Sequence, residues 1–243
     1  MPLSELTGRR FPTTAWSVVL AAGRDSNSAQ AALARLCEAY WYSVYAYIRH
    51  RGYTSQDTED LTQQFFAHLL EKHLVQAARP DRGRFRSFLL ASVRNFLANE
   101  WDRAHAGKRG GAAVALPLDF VAAEGRYAAE LSNQLTPEKL FERGWALALL
   151  EHVLVRLRSE FEATGRTHRF ELMKSFLDSE PSESSYTRLA AGLETSEGAA
   201  RVAVYRLRSR YRELLCEEIS EIVASPDEVE DEIRHLLAAL DEG

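Results

Sequence analysis

Apolar residues recur along this chain at intervals of three and four rather than at alternate positions, which is the spacing of helices packed by one face. The spacing predicts a first long helix over 28–50, with Leu33, Leu36, Tyr40, Val44 and Tyr47 on a shared stripe and Gly52 as its stop. Thr54 followed by Asp57 is a helix-start box for a second helix, whose buried side is Leu61, Phe65, Phe66, Leu69 and Leu70. Pro80 and Gly83 exclude a helix interior, so the basic stretch 79–83 is a loop held between helices. A third helix follows over 85–103. At about 100° per residue, Phe85, Phe88, Leu89, Val93 and Phe96 gather on one side, while Arg94, Trp101 and His105 gather on the other. Packing alone gives no reason for tryptophan and arginine on an outward face, although single exposed aromatics do occur.

Beyond 106 the periodicity fades. Gly107, Gly110, Gly111, Pro117 and Gly125 break the pattern, apart from a short run around 120–131, and this composition suits a connection between domains. Pro137 then fits the first turn of a new helix, with Leu140, Trp145, Leu149, Val153 and Leu157 as its apolar positions, and a further helix is predicted over 168–177. From Tyr186 the chain reads as a short helix, a turn at Gly192, and a new helix capped by Ser196. In that last helix Ala200, Val204, Leu207 and Tyr211 fall together, and Arg201, Tyr205, Arg208 and Arg212 form a second stripe beside them. One face anchors the helix and the other presents positive charge. The predicted fold is therefore all-α, two helical domains over 13–106 and 137–218 joined by a linker over 107–136, with a helix-turn-helix at about 184–215 and an acidic helical extension over 219–243.

Length and composition agree with this picture: 243 residues with 46% hydrophobic content are enough to bury two cores. Charge changes it. The net of −5 is unfavourable for a polyanion partner, but 217–243 holds ten acidic residues against one arginine, which leaves a net of +4 on 1–216. Residues 79–109 carry eight basic against three acidic groups, and 201–212 carry five arginines and no acid. Local field decides where a polyanion is drawn. Cys37 and Cys216, the two cysteines, are too few for a disulfide framework or a zinc ribbon and read as reduced thiols. The absence of an apolar run of membrane length or a secretory leader predicts a cytoplasmic chain without membrane insertion.

Three ordered segments carry a family resemblance. Asp57-Thr-Glu-Asp-Leu-Thr-Gln-Gln-Phe-Phe and the stretch from Phe85 to Arg103 resemble the second conserved region of bacterial RNA polymerase sigma factors. Tyr186 to Leu215, with Leu189-Ala190, Gly192, Ser196-Glu197-Gly198 and Arg206-Leu207-Arg208, is similar to their fourth region. The match spans roughly 16–105 and 140–216 and is closest to the extracytoplasmic-function type, in a sigma-like group with extended termini found in bacteria rich in serine/threonine kinases. The resemblance implies a sigma region 2-like bundle and a sigma region 4-like domain. It also implies core RNA polymerase and promoter DNA as partners, an anti-sigma factor or a serine/threonine kinase as candidate regulators, and no cofactor. By the same resemblance Asp60, Leu61, Gln63, Gln64 and Phe66 meet the polymerase clamp; Arg82, Arg84, Arg94, Trp101 and Arg103 face minus-ten DNA; Ser196, Glu197, Arg201, Tyr205, Arg206, Arg208, Arg210 and Arg212 face minus-thirty-five DNA. The chain departs from the family in a long stretch between Leu157 and Tyr186, in Ala203 where arginine is frequent, and in the acidic extension.

The residues themselves leave some alternatives open. Arg201 and Arg208 offer planar donor forks to base edges or phosphate, and Arg206, Arg210 and Arg212 suit phosphate contact or a solvated face. Trp101 either captures an unstacked base or packs at the rim of the first helices. The acids Asp57, Glu59 and Asp60 suit a helix start or polymerase contact better than metal chemistry, because no histidine accompanies them. Neither His-Glu-x-x-His, a phosphate loop nor a serine elbow is present, so a non-enzymatic protein is expected. Val229, Ile233, Leu236, Leu237 and Leu240 make the acidic tail an amphipathic helix that either packs on a domain or competes for the basic face. The competing functions are a helix-turn-helix regulator acting without polymerase and a protein-interaction adaptor derived from a sigma factor.

Overall fold

The structure is a computed structural model that describes residues 27–71, 84–105, 118–130, 135–177, 182–220, 222–223 and 225–241. Among the described residues there are nine α-helices, two short 3-10 turns and no strand. The all-α class is thus observed. No helix among them is long and apolar enough to cross a membrane. The helices divide into two compact units: one holds the described residues up to Leu149 together with those from Ile219 onward, and the other holds Leu150–Glu218.

Helix α1 (Asn27–His50) is the centre of the first unit. Tyr40, Val44, Tyr45, Ala46, Tyr47 and Ile48 are all fully buried, so its second half is enclosed on every side rather than along one stripe. The helix ends where Gly52 takes a positive φ of 95°. Thr54 then starts α2 (Ser55–Glu71) as expected: its Oγ1 accepts the Asp57 backbone N–H at 3.1 Å and donates to the Asp57 carboxylate at 2.8 Å. Helix α3 (Phe85–His105) buries Phe85, Leu89, Val93, Phe96 and Leu97, with Phe85 edge-on to Tyr40 and Phe96 edge-on to Phe65.

The expected linker is partly structured. Helix α4 (Phe120–Glu130) starts at Asp119, whose Oδ1 accepts the Ala122 N–H, and packs Ala123 and Tyr127 against Tyr42, Tyr45 and Ala46 of α1. Polar groups reinforce the contact: Tyr42 donates to Glu130, Tyr45 donates to Glu124, and Arg49 pairs with Glu124 at 3.0 Å. Burial, then the bond to Glu124, pushes the Tyr45 phenol up to about 12. Glycines suggest a loop, but an eleven-residue amphipathic segment with an α1 face to cover folds against it.

Helix α5 (Pro137–Ala163) has Thr136 as its cap and Pro137 in its first turn. Residues 137–149 belong to the first unit. Leu140, Phe141 and Trp145 are buried there, and Phe141 stacks on Tyr40 with 6.4 Å between ring centroids. At Gly144 the helices approach so closely that a Cβ would sit 3.0 Å from Ser43 Oγ and 3.2 Å from Ser43 Cα. The acidic tail folds as α9 (Val229–Asp241) and belongs to the same unit.

The second unit contains the rest of α5, then α6 (Thr167–Met173), a 3-10 turn over Lys174–Phe176, α7 (Glu183–Gly192) and most of α8 (Glu197–Ser220). Its core is Val153, Leu157, Phe170, Met173, Phe176, Leu189, Ala190, Ala200, Val204, Leu207 and Leu214. The long Leu157–Tyr186 stretch is accounted for by the end of α5 and by α6, with Phe161 packed on Phe170 at 5.6 Å. Tyr211 donates to the Leu150 carbonyl and so ties α8 to α5.

Candidate nucleic-acid interface

In the second unit a short turn joins two helices. Residues 193–196 join α7 to α8, and the Leu193, Glu194 and Thr195 N–H groups donate to Leu189, Ala191 and Ala190 carbonyls. The left-handed residue of this turn is Glu194, with φ 52°, and not Gly192, which closes α7. The expected glycine turn is corrected accordingly. A Cβ on Gly192 would lie 3.2 Å from Leu172 Cδ1, so its small size serves the approach of α6. Ser196 caps α8 by accepting the Ala199 N–H at 3.3 Å, and Thr187 donates to Glu197 at 2.7 Å across the turn. Ser196 and Glu197 thus set the angle between the two helices.

Ala200, Val204 and Leu207 anchor α8 to the core, each 2% exposed or less. This fixes which residues look outward. Tyr205 is 72% exposed, and Arg201, Arg206, Arg208 and Arg212 are all exposed. Arg201 lies over the Tyr186 ring at 4.4 Å, which orders its guanidinium at the surface, and Arg208 donates from Nε to the Phe176 carbonyl at 2.8 Å. Arg210 differs. It pairs with Glu160 at 2.7 Å, Glu213 at 3.0 Å and Glu217 at 3.3 Å, and the Glu160 hydrogen bond, outweighing partial burial, raises its pKa. Three carboxylates thus hold it as a brace between α5 and α8. Val202, 49% exposed between Arg201 and Tyr205, escaped the sequence reading because it lies off both stripes. Its methyl groups suit a thymine methyl.

In the first unit, Arg94 is exposed and Trp101 is 59% exposed on the same side of α3, two turns apart and about 10 Å along the axis. Arg103 lies in the last turn of that helix, and Arg82 lies outside the described residues. Arg84 meets Glu232 of α9 at 2.9 Å. On α2, Asp60 is exposed and Leu61, Gln63 and Gln64 are half-buried, whereas Phe66 is 1% exposed and packs edge-on to Phe65. The Phe66 ring is thus part of the core.

The sequence reading also missed the charged cluster at the head of α3. Arg86 is 3% exposed, lies over Trp145 at 4.2 Å, contacts Glu142 at 2.8 Å and pairs with Glu232, itself 1% exposed. Burial opposes its charge, but the Glu232 hydrogen bond and both carboxylates overcome this and raise its pKa. An arginine in the first turn of a helix gives no sequence signal that its partner lies 146 positions away. Cys37 is buried and Cys216 half-buried. Among the described residues no group of three His, Cys, Asp or Glu side chains is arranged to hold a metal ion. No family model matches the chain, and no curated protein or solved structure is significantly similar to it.

Proposed function

We propose that the protein is a sigma factor of the extracytoplasmic-function type, which joins core RNA polymerase and directs it to promoters. The observation that carries the reading is the outward face of α8. Four exposed arginines and Tyr205 stand on a helix that follows a capped four-residue turn, a geometry suited to the major groove. Arg201, steadied over Tyr186, reads a base edge of the minus-thirty-five element beside Val202 and Tyr205. Arg206, Arg208 and Arg212 contact phosphate.

The first unit supplies the other half of the reading. Asp60, Leu61, Gln63 and Gln64 form the outer side of α2 that meets the polymerase clamp. Arg94 and Trp101, with Arg82, Arg84 and Arg103, capture the unstacked minus-ten strand by charge and by stacking on the indole. Stacking of one base on an aromatic ring contributes about 1–3 kcal/mol, comparable to the cost of unstacking it from the duplex.

Co-purification with core polymerase, followed by transcription from the chain's own genomic promoters, tests the reading. Association and sequence-dependent initiation are expected. Sequence-specific DNA binding without polymerase association would replace it with a conventional helix-turn-helix regulator.

A further inference from the structure

We propose that the acidic helix α9 is a dissociable internal occupant of the arginine site at the head of α3, and that nucleic-acid phosphate displaces it. The inference rests on the DNA-binding reading of the first unit and adds its regulation. Two guanidinium groups converge on one carboxylate: Glu232 pairs with Arg86 through both terminal nitrogens and with Arg84 at 2.9 Å. A phosphate offers the same forked acceptor geometry with more charge. Arg84 is the group this exchange would deliver. Its side chain is 36% exposed, so an incoming phosphate reaches it from solvent.

The rest of the α9 contact is suited to release. Leu236 is its one fully buried apolar side chain among the described residues, and Leu237 is 50% exposed. Val229, Ile233, Ala239 and Leu240 are half-buried, and polar contacts add to them: Arg143 donates to the Leu240 carbonyl at 2.7 Å, and His235 lies 3.3 Å from Glu142. A helix with one fully buried apolar side chain and several charged contacts has an attachment that responds to salt. When Glu232 departs, Arg86 keeps the Glu142 carboxylate at 2.8 Å and the Trp145 ring, and its two terminal nitrogens become available to phosphate.

The test uses the full chain, a single-stranded oligonucleotide of minus-ten composition, and two substitutions that remove the same charge from α9. Glu232→Gln removes the carboxylate in the arginine site, whereas Asp231→Asn removes an exposed one that pairs with Arg234 on the same helix. Glu232→Gln is expected to tighten binding at low salt about tenfold, Asp231→Asn by less than about twofold, and the difference should shrink as salt rises. Hydrogen exchange on the unaltered chain should show the amides of 229–241 losing protection when the oligonucleotide binds. Equal effects of the two substitutions, or unchanged α9 protection in a complex that does form, would overturn the inference while leaving DNA binding intact. Failure of every form to bind any oligonucleotide, alone or with core polymerase, would refute the DNA-binding reading and the inference together.

Discussion

Replacing Gly144 by alanine should destabilise the first unit, although alanine is the better helix former. In an exposed helix interior the change from glycine to alanine gains about 1 kcal/mol. At Gly144 the new methyl would lie 3.0 Å from Ser43 Oγ, 3.2 Å from Ser43 Cα and 3.3 Å from Tyr42 Cδ1. The Ser43 hydroxyl can rotate away, but its Cα belongs to the fully enclosed half of α1, so the helix axes must separate by a few tenths of an ångström. Overpacking of this kind costs about 1–3 kcal/mol, which outweighs the gain in propensity. A net loss of about 1 kcal/mol is expected. Gly125 in α4 is the control, because nothing lies within 4 Å of its added Cβ, and Gly125→Ala should stabilise by about 0.5–1 kcal/mol. Urea unfolding followed by tryptophan fluorescence isolates this unit, since residues 150–218 contain no tryptophan. Stabilisation by both substitutions would refute the close approach of α1 and α5.

Arg86→Met should cost the first unit about 3 kcal/mol, because it leaves the buried Glu232 carboxylate with Arg84 alone. Glu232→Gln should cost about 1–2 kcal/mol, since Arg86 keeps Glu142, and equal losses in urea unfolding would contradict this asymmetry. Burial, and then the Arg156 cation, push His152 from 6.5 down to about 4, so the unfolded chain binds a proton between these values and the native one does not. Stability of the second unit should rise with pH across that window and fall by up to ~3 kcal/mol as pH drops from 6.5 to 4, and His152→Gln should flatten the profile in thermal unfolding followed by circular dichroism. Arg206→Ala should reduce the salt slope of DNA binding by about one, whereas Arg210→Ala should leave the slope unchanged and cost about 0.5–1 kcal/mol of stability. A slope change at Arg210 would show that its three carboxylates do not hold it.

The helices themselves were legible in the sequence because they depend on local chemistry. The Thr54 and Ser196 caps, Pro137 in the first turn of α5, and the four-three spacing of Ala200, Val204 and Leu207 act within one or two turns, and each sits in the structure where its pattern puts it. The outward position of Arg94, Trp101 and Tyr205 follows from the same periodicity once the buried face is known. What tertiary structure alone decided is which charges stay available and where the units divide. Arg86, Arg201 and Arg210 look alike as residues in basic runs, yet one is buried against Glu232 and Glu142, one lies over the half-buried Tyr186 ring, and one is held by three glutamates. Their partners come from helices distant in sequence, and no local rule reports them. The division after Leu149 has the same cause: Phe141 and Trp145 are drawn into the core around Tyr40 and Arg86, while helix periodicity runs through α5 without a break.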